Sequence, residues 1–80
     1  MKKSEYVTYD IGLTAFLVVA GYNIISIKKT EKNISSFQFN GSDSISADIL
    51  RYYNRNVSVE PVTFLQQIKN LKAMISSGSI

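Results

Sequence analysis

Apolar and polar positions along this 80-residue chain follow two periods, and the switches between them mark the elements. Tyr6, Val7, Thr8 and Tyr9 are β-branched and aromatic, which favours a short strand over residues 5–9. Asp10 interrupts it. Asp is a strong helix N-cap, and the next ten residues, Ile11 to Ala20, are apolar at nearly every position. A glycine at position 21 suits the left-handed turn that ends many helices. The pattern therefore predicts a helix over residues 11–21, largely buried because it is apolar on most sides. Gly12 and Thr14 are its least hydrophobic points and candidate places for close backbone approach.

Beyond Asn23 the period changes to two. In Ile24-Ile25-Ser26-Ile27-Lys28 the alternation sets Ile25 and Ile27 on one face. After the polar connection Thr30-Glu31-Lys32-Asn33, Phe37 and Phe39 alternate with Ile34, Ser36 and Gln38. The two runs read as a hairpin, with Phe37 and Phe39 expected beside Ile25 and Ile27 on the covered face. Asn40-Gly41-Ser42-Asp43-Ser44 is a turn in which one serine can cap the next helix. Ile45, Ile49, Tyr52 and Tyr53 then recur at helical spacing, to about Asn54. Pro61 is tolerated at a first helical position, and Phe64, Leu65, Ile68, Leu71 and Ile75 form the apolar stripe of a last helix. The segment Ser76-Ser77-Gly78-Ser79 is expected to end it.

The expected fold is one α+β domain over residues 1–80, in the order β-α-β-β-α-α. A crossover helix makes the first two strands parallel, so spatial order 1-3-2 in a three-stranded sheet is a consistent solution. So short a domain buries only about 60% of the surface its unfolded chain exposes, which makes self-association a plausible source of stability.

Composition narrows the chemistry. The chain has no Cys, His or Trp, which removes disulfides, thiolate nucleophiles, imidazole acid–base chemistry and nearly every transition-metal ligand set. Its acids, Glu5, Asp10, Glu31, Asp43, Asp48 and Glu60, are scattered, without the spacing of a calcium loop. The four glycines compose no phosphate-cradling loop. No catalytic residue, metal site or cofactor is expected, and the chain reads as a non-enzyme. The net charge of +3 is spread evenly along the chain, with no basic tail.

The start, Met1-Lys2-Lys3, with its later apolar run, superficially resembles a signal peptide. Glu5 and Asp10 and the lack of a small-x-small cleavage site argue against one. The run from Ile11 to Ile27 contains Gly21 and Asn23 and falls short of the roughly 20 residues of a membrane span. No membrane association is expected. The triplets beginning at Asn33, Asn40 and Asn56 match the glycosylation pattern formally, as an Asn- and Ser-rich chain does by chance.

Tyr6-Val7-Thr8-Tyr9-Asp10-Ile11, then Ala15, Leu17 and Gly21-Tyr22, the Phe37-Gln38-Phe39 strand, Tyr53-Asn54 and Pro61-Val62-Thr63-Phe64 together resemble a family of short prokaryotic and phage proteins known only as a domain of unknown function. The likeness covers most of the chain, and its motifs are structural: a strand ending in Thr-x-Asp, a buried helix closed by Gly, a hairpin and two helices. It implies a free-standing cytoplasmic protein of a phage or prokaryote, with no cofactor and no catalytic residues to transfer.

What remains is surface. Arg51 and Arg55, four apart, would project from one helical face beside Tyr52 and Tyr53, and Lys69 and Lys72 would extend a positive face on the last helix. Core-edge packing of the tyrosines and a dipole role for the arginine near the helix end weigh against a dedicated site. The leading expectation is an accessory protein that binds a protein partner or itself through Tyr52, Tyr53, Phe64 and Leu65, rimmed by Arg51 and Arg55. The alternative is a low-specificity nucleic-acid binder that uses Arg51, Arg55, Lys69, Lys72 and the hairpin lysines Lys28, Lys29 and Lys32. Those lysines also serve to discourage edge-to-edge strand pairing.

Overall fold

Local chemistry at Thr8 and Asp10 fixes the first turn of the fold. The structure, a computed structural model, describes residues 5–32 and 34–76. Strand β1 (Glu5–Thr8) gives way to helix α1 (Ile11–Val19). The Thr8 hydroxyl accepts from the Asp10 amide at 3.1 Å, and Asp10 Oδ1 accepts from the Leu13 amide at 3.1 Å. The Thr-x-Asp signature is thus a strand-to-helix turn with a capped N-terminus. Thr14, fully buried, satisfies its hydroxyl on the Asp10 carbonyl at 2.9 Å.

Helix α1 is shorter than the predicted 11–21 because its last turn closes back on itself. Gly21 N–H donates to the Val18 carbonyl and Tyr22 N–H to that of Leu17, a Schellman closure. Gly21 sits at φ +106°, which L side chains rarely adopt. Strand β2 (Ile24–Lys29) and strand β3 (Ser35–Asn40) form the hairpin, and β1 pairs with the other edge of β3. The order is β1-β3-β2, with β3 antiparallel to both neighbours, as the crossover argument requires.

The expected register of β2 is corrected by a β-bulge. Phe39 lies opposite Ile24 and Phe37 opposite Ile27, with an irregularity between Ile24 and Ser26. The extra residue reverses the parity of the strand. Ile24 and Ile27 therefore pack on the core, whereas Ile25, expected inside, is exposed.

Helix α2 (Asp43–Tyr53) begins at Ser42, whose hydroxyl accepts from the Ile45 amide at 3.1 Å. Helix α3 (Pro61–Ser76) has Pro61 as its first residue, and Glu60 before it accepts from the Val62 and Thr63 amides at 3.1 and 2.7 Å. The Thr63 hydroxyl, which donates to Glu60 Oε1 at 2.6 Å, and then the Thr63 and Val62 amides hold the Glu60 carboxyl below its ordinary pKa. The expected Ser77-Gly78-Ser79 stop, the Met1-Lys2-Lys3 start and the Asn33 triplet's first residue lie outside the described residues.

The core joins Leu13, Ala15, Phe16 and Leu17 of α1 to Phe37 and Phe39 of β3, Ile45 of α2 and Leu71 of α3. Burying each of the larger side chains contributes about 1.5–3 kcal/mol. Helix α1 packs against β1, α2 and α3, and all three helices share one core with the inward face of β3. Among the described residues, no helix is long and apolar enough to cross a membrane.

Candidate interaction surfaces

The predicted aromatic and basic surface comes apart in the folded chain. Tyr52 is half-buried, its ring centroid 5.2 Å from that of Phe16, and it belongs to the edge of the core. Gly12 makes room for it: a Cβ at position 12 would lie 2.7 Å from the Tyr52 hydroxyl. Tyr53 is exposed, stands edge-on to Tyr52, and donates its hydroxyl to Asp10 Oδ2 at 3.0 Å. The cap of α1 thereby ties α2 to the first turn. Partial desolvation of the hydroxyl end, and then its bond to the Asp10 carboxylate, push the Tyr53 phenol up to about 12. Burial chiefly also raises Tyr52.

A second tyrosine makes a similar tie. The Tyr22 hydroxyl lies 2.6 Å from Ser44 Oγ and donates to Asp48 Oδ2 at 2.7 Å. The Ser44 bond favours the phenolate, but the Asp48 bond, burial and the Asp48 charge outweigh it and raise the pKa. Asp48 also accepts from Arg51 Nη1 at 3.0 Å, so this arginine is already paired.

Arg55 does not share a helical face with Arg51. Helix α2 ends at Tyr53, and Arg55 adopts φ +59° just past the Asn54 cap. Its amide donates to the Tyr52 carbonyl at 3.0 Å and the Asn56 amide to that of Arg51 at 2.8 Å. This repeats the Schellman closure of α1 with an arginine where α1 has glycine. A cleft of about 520 Å³ beside it is lined by Asp10, Tyr52, Tyr53, Arg55 and Val57.

Lys69 and Lys72 are exposed on α3, a different element. Of the expected patch there, Phe64 packs on the core while Leu65 stays exposed. Lys29 donates to the Ile75 carbonyl at 3.4 Å, near the C-terminus of α3, where the helix dipole favours a cation. The cations are thus distributed over several elements, and two of them are engaged locally. Among the described residues, no three acidic side chains gather as a metal site.

The surface that sequence reasoning missed is the outward face of the sheet. Val7 is 49% exposed, Tyr9 62%, Ile25 48% and Ile34 47%. Alternation from the buried Thr8, Phe37 and Phe39 turns Val7, Tyr9 and Ile34 to the side opposite the helices. Tyr9 and Ile34 line an open hollow of about 670 Å³ with Thr30, Glu31 and Lys32. The signal was present: Tyr6-Val7-Thr8-Tyr9 is apolar or aromatic at both parities, unlike a strand with one wet face.

The arrangement of capped crossover helix, bulged hairpin and two flanking helices runs through nearly the whole chain. Residues 3–77 match the domain of unknown function DUF5659. The chain belongs to this family. In this DUF5659 domain, the Thr8-x-Asp10 turn and the Gly21 helix end are accounted for by folding alone. No curated protein and no solved structure is significantly similar to the chain.

Proposed function

We propose that this DUF5659 domain is a non-catalytic accessory protein that binds another protein surface, and that it does so through the outward sheet face. The observation that carries this reading is the group of large apolar side chains, Val7, Tyr9 and Ile34, left uncovered on the face opposite the helices, with the exposed bulge residue Ile25 at the edge strand. Exposed apolar side chains beside charged ones, as Tyr9 and Ile34 stand beside Glu31 and Lys32, are the usual anatomy of a protein-binding patch. Tyr9 is its natural anchor, being a large rigid side chain with a polar tip. The dispersal of the cations, with Arg51 held by Asp48 and Lys29 by α3, weighs against the nucleic-acid alternative.

Photo-crosslinking tests the proposal. A benzophenone amino acid is placed at position 7 or 34 of the full chain, or at exposed Gln66 as a control, and the chain is expressed in its own host. Protein adducts from positions 7 and 34, and none from 66, are expected. Equal labelling from all three, or nucleic-acid adducts, would overturn the reading.

A further inference from the structure

The outward face has four corners whose chemistry determines how it can meet a copy of itself. Glu5 stands at one end of β1, opposite Asn40, and Lys28 at the far end of β2, opposite Ser36. They occupy one diagonal. Extending the β1–β3 register by one residue sets Tyr9 opposite Ser36, at the other end of β1, and the exposed bulge residue Ile25 falls on β2 between the partners of Phe39 and Gln38. Those two occupy the other diagonal. Neither Glu5 nor Lys28 has an ion-pair partner among the described residues.

From this placement we infer that the sheet face binds a second copy of this chain, as a two-fold dimer whose axis runs along the Tyr9–Ile25 diagonal. The inference rests on the protein-binding reading above and names its partner. Two identical faces can meet about an axis along the strands, across them, or along either diagonal. An axis along the strands sets Glu5 over Ile25 and Lys28 over Tyr9, so each charge is desolvated against an apolar group. One across the strands sets Glu5 over Tyr9 and Lys28 over Ile25, with the same fault. Along the charged diagonal, Glu5 meets Glu5 and Lys28 meets Lys28. Only the apolar diagonal brings Tyr9 and Ile25 onto their own counterparts while each Glu5 faces Lys28 of the other copy.

That axis crosses the strands of the two sheets at roughly 70–90°, within the orthogonal class of sheet packing. The central strand offers Ser36 and Gln38 to the middle of the interface. Strands of four, six and six residues present roughly 250 Å² of flat face. A standard interface takes about 800 Å² per partner, so the dimer is a weak one that forms only at high protein concentration.

Sedimentation equilibrium of the purified full chain, from about 10 µM to about 1 mM to span the weak-interface regime, tests this. A monomer–dimer equilibrium is expected in the native chain. Glu5→Lys or Lys28→Glu alone places like charges at both symmetric contacts and should weaken dimerisation about tenfold. The double reversal E5K/K28E recreates both pairs and should restore affinity to within about threefold of native. Thermal melts of each variant confirm that the fold is intact. A native chain that stays monomeric at 1 mM, or a double reversal no stronger than the single ones, overturns the inference. A crosslink from position 7 to a different protein would then leave the broader reading standing, whereas an adduct at twice the chain mass supports the dimer.

Discussion

Arg55 lies at φ +59°, and replacing it isolates the energy of one backbone conformation. A left-handed residue other than glycine costs roughly 1–2 kcal/mol, because Cβ crowds the following carbonyl oxygen. Arg55→Gly relieves that crowding. Two losses oppose the gain: glycine widens the unfolded ensemble by about 0.4–1 kcal/mol, and removal of a cation near the C-terminus of α2 forfeits about 0.3 kcal/mol. The net stabilisation is about 0.5 kcal/mol. Arg55→Ala keeps Cβ and loses the same cation, so the glycine–alanine difference cancels the charge and reads the backbone. That difference should be about 1 kcal/mol. For a domain of this size it corresponds to about 4–8 °C in melting temperature, measurable by circular dichroism at 222 nm with urea unfolding as a second probe. The matching position in α1 supplies the control. A Cβ on Gly21 would meet nothing within 4 Å, so the cost of Gly21→Ala at φ +106° is conformational only and should be at least as large. If R55A proves as stable as R55G, the helix end is not held in the left-handed conformation and the account of α2 fails.

Three further outcomes follow from named contacts. Gly12→Ala forces a methyl group against the Tyr52 hydroxyl and should cost about 1 kcal/mol, whereas in a Tyr52→Phe background the better helix former should be neutral or stabilising; the same cost in both backgrounds would remove Tyr52 as the cause. Tyr53 is raised above the unfolded tyrosine value, so its contribution to stability is whole below about pH 10 and is lost as pH rises through about 12. Absorbance at 295 nm should show one fewer tyrosine titrating there in Tyr53→Phe, Tyr22 and Tyr52 being raised as well, and an unchanged amplitude of that step would count against the Asp10 bond. Fluorescence anisotropy of labelled single- and double-stranded oligonucleotides should show no binding at either low or moderate salt; four neutralised phosphates on duplex DNA would instead give a log–log salt slope near about −3.6 and revive the basic surface.

The order of elements and the sheet topology were legible because caps and periods agreed. Asp10, Ser42 and Pro61 each begin a helix where the sequence places one, and a right-handed crossover leaves few strand orders to choose from. The register of β2 was not legible. In Ile24-Ile25-Ser26-Ile27, strict alternation and a bulged strand both present two isoleucines to the core, and only pairing with β3 shows that they are Ile24 and Ile27. Likewise Arg51 and Arg55 share a face only if the helix continues through Asn54. No glycine or proline marks its end, because the left-handed residue is an arginine.

The surface was harder to read for a related physical reason: an apolar residue carries no label that says which neighbour covers it. Tyr52, Phe64 and Leu65 look alike as apolar positions at helical spacing, yet α1 covers Tyr52 through Phe16, the core takes Phe64, and Leu65 is left out. All three helices share the core on the inward face of β3, and among the described residues no element covers the other face. An uncovered face would ordinarily be polar, and the centre of this one is, at Ser36 and Gln38. Its apolar residues stand towards the corners, on β1, beyond the start of β3 and at the β2 bulge. Such a distribution leaves the isolated domain wetted through the middle of the face, while the corner side chains supply area when a second surface arrives. Weak, concentration-dependent association follows from that geometry more naturally than an obligate dimer, whose interface would be apolar at its centre.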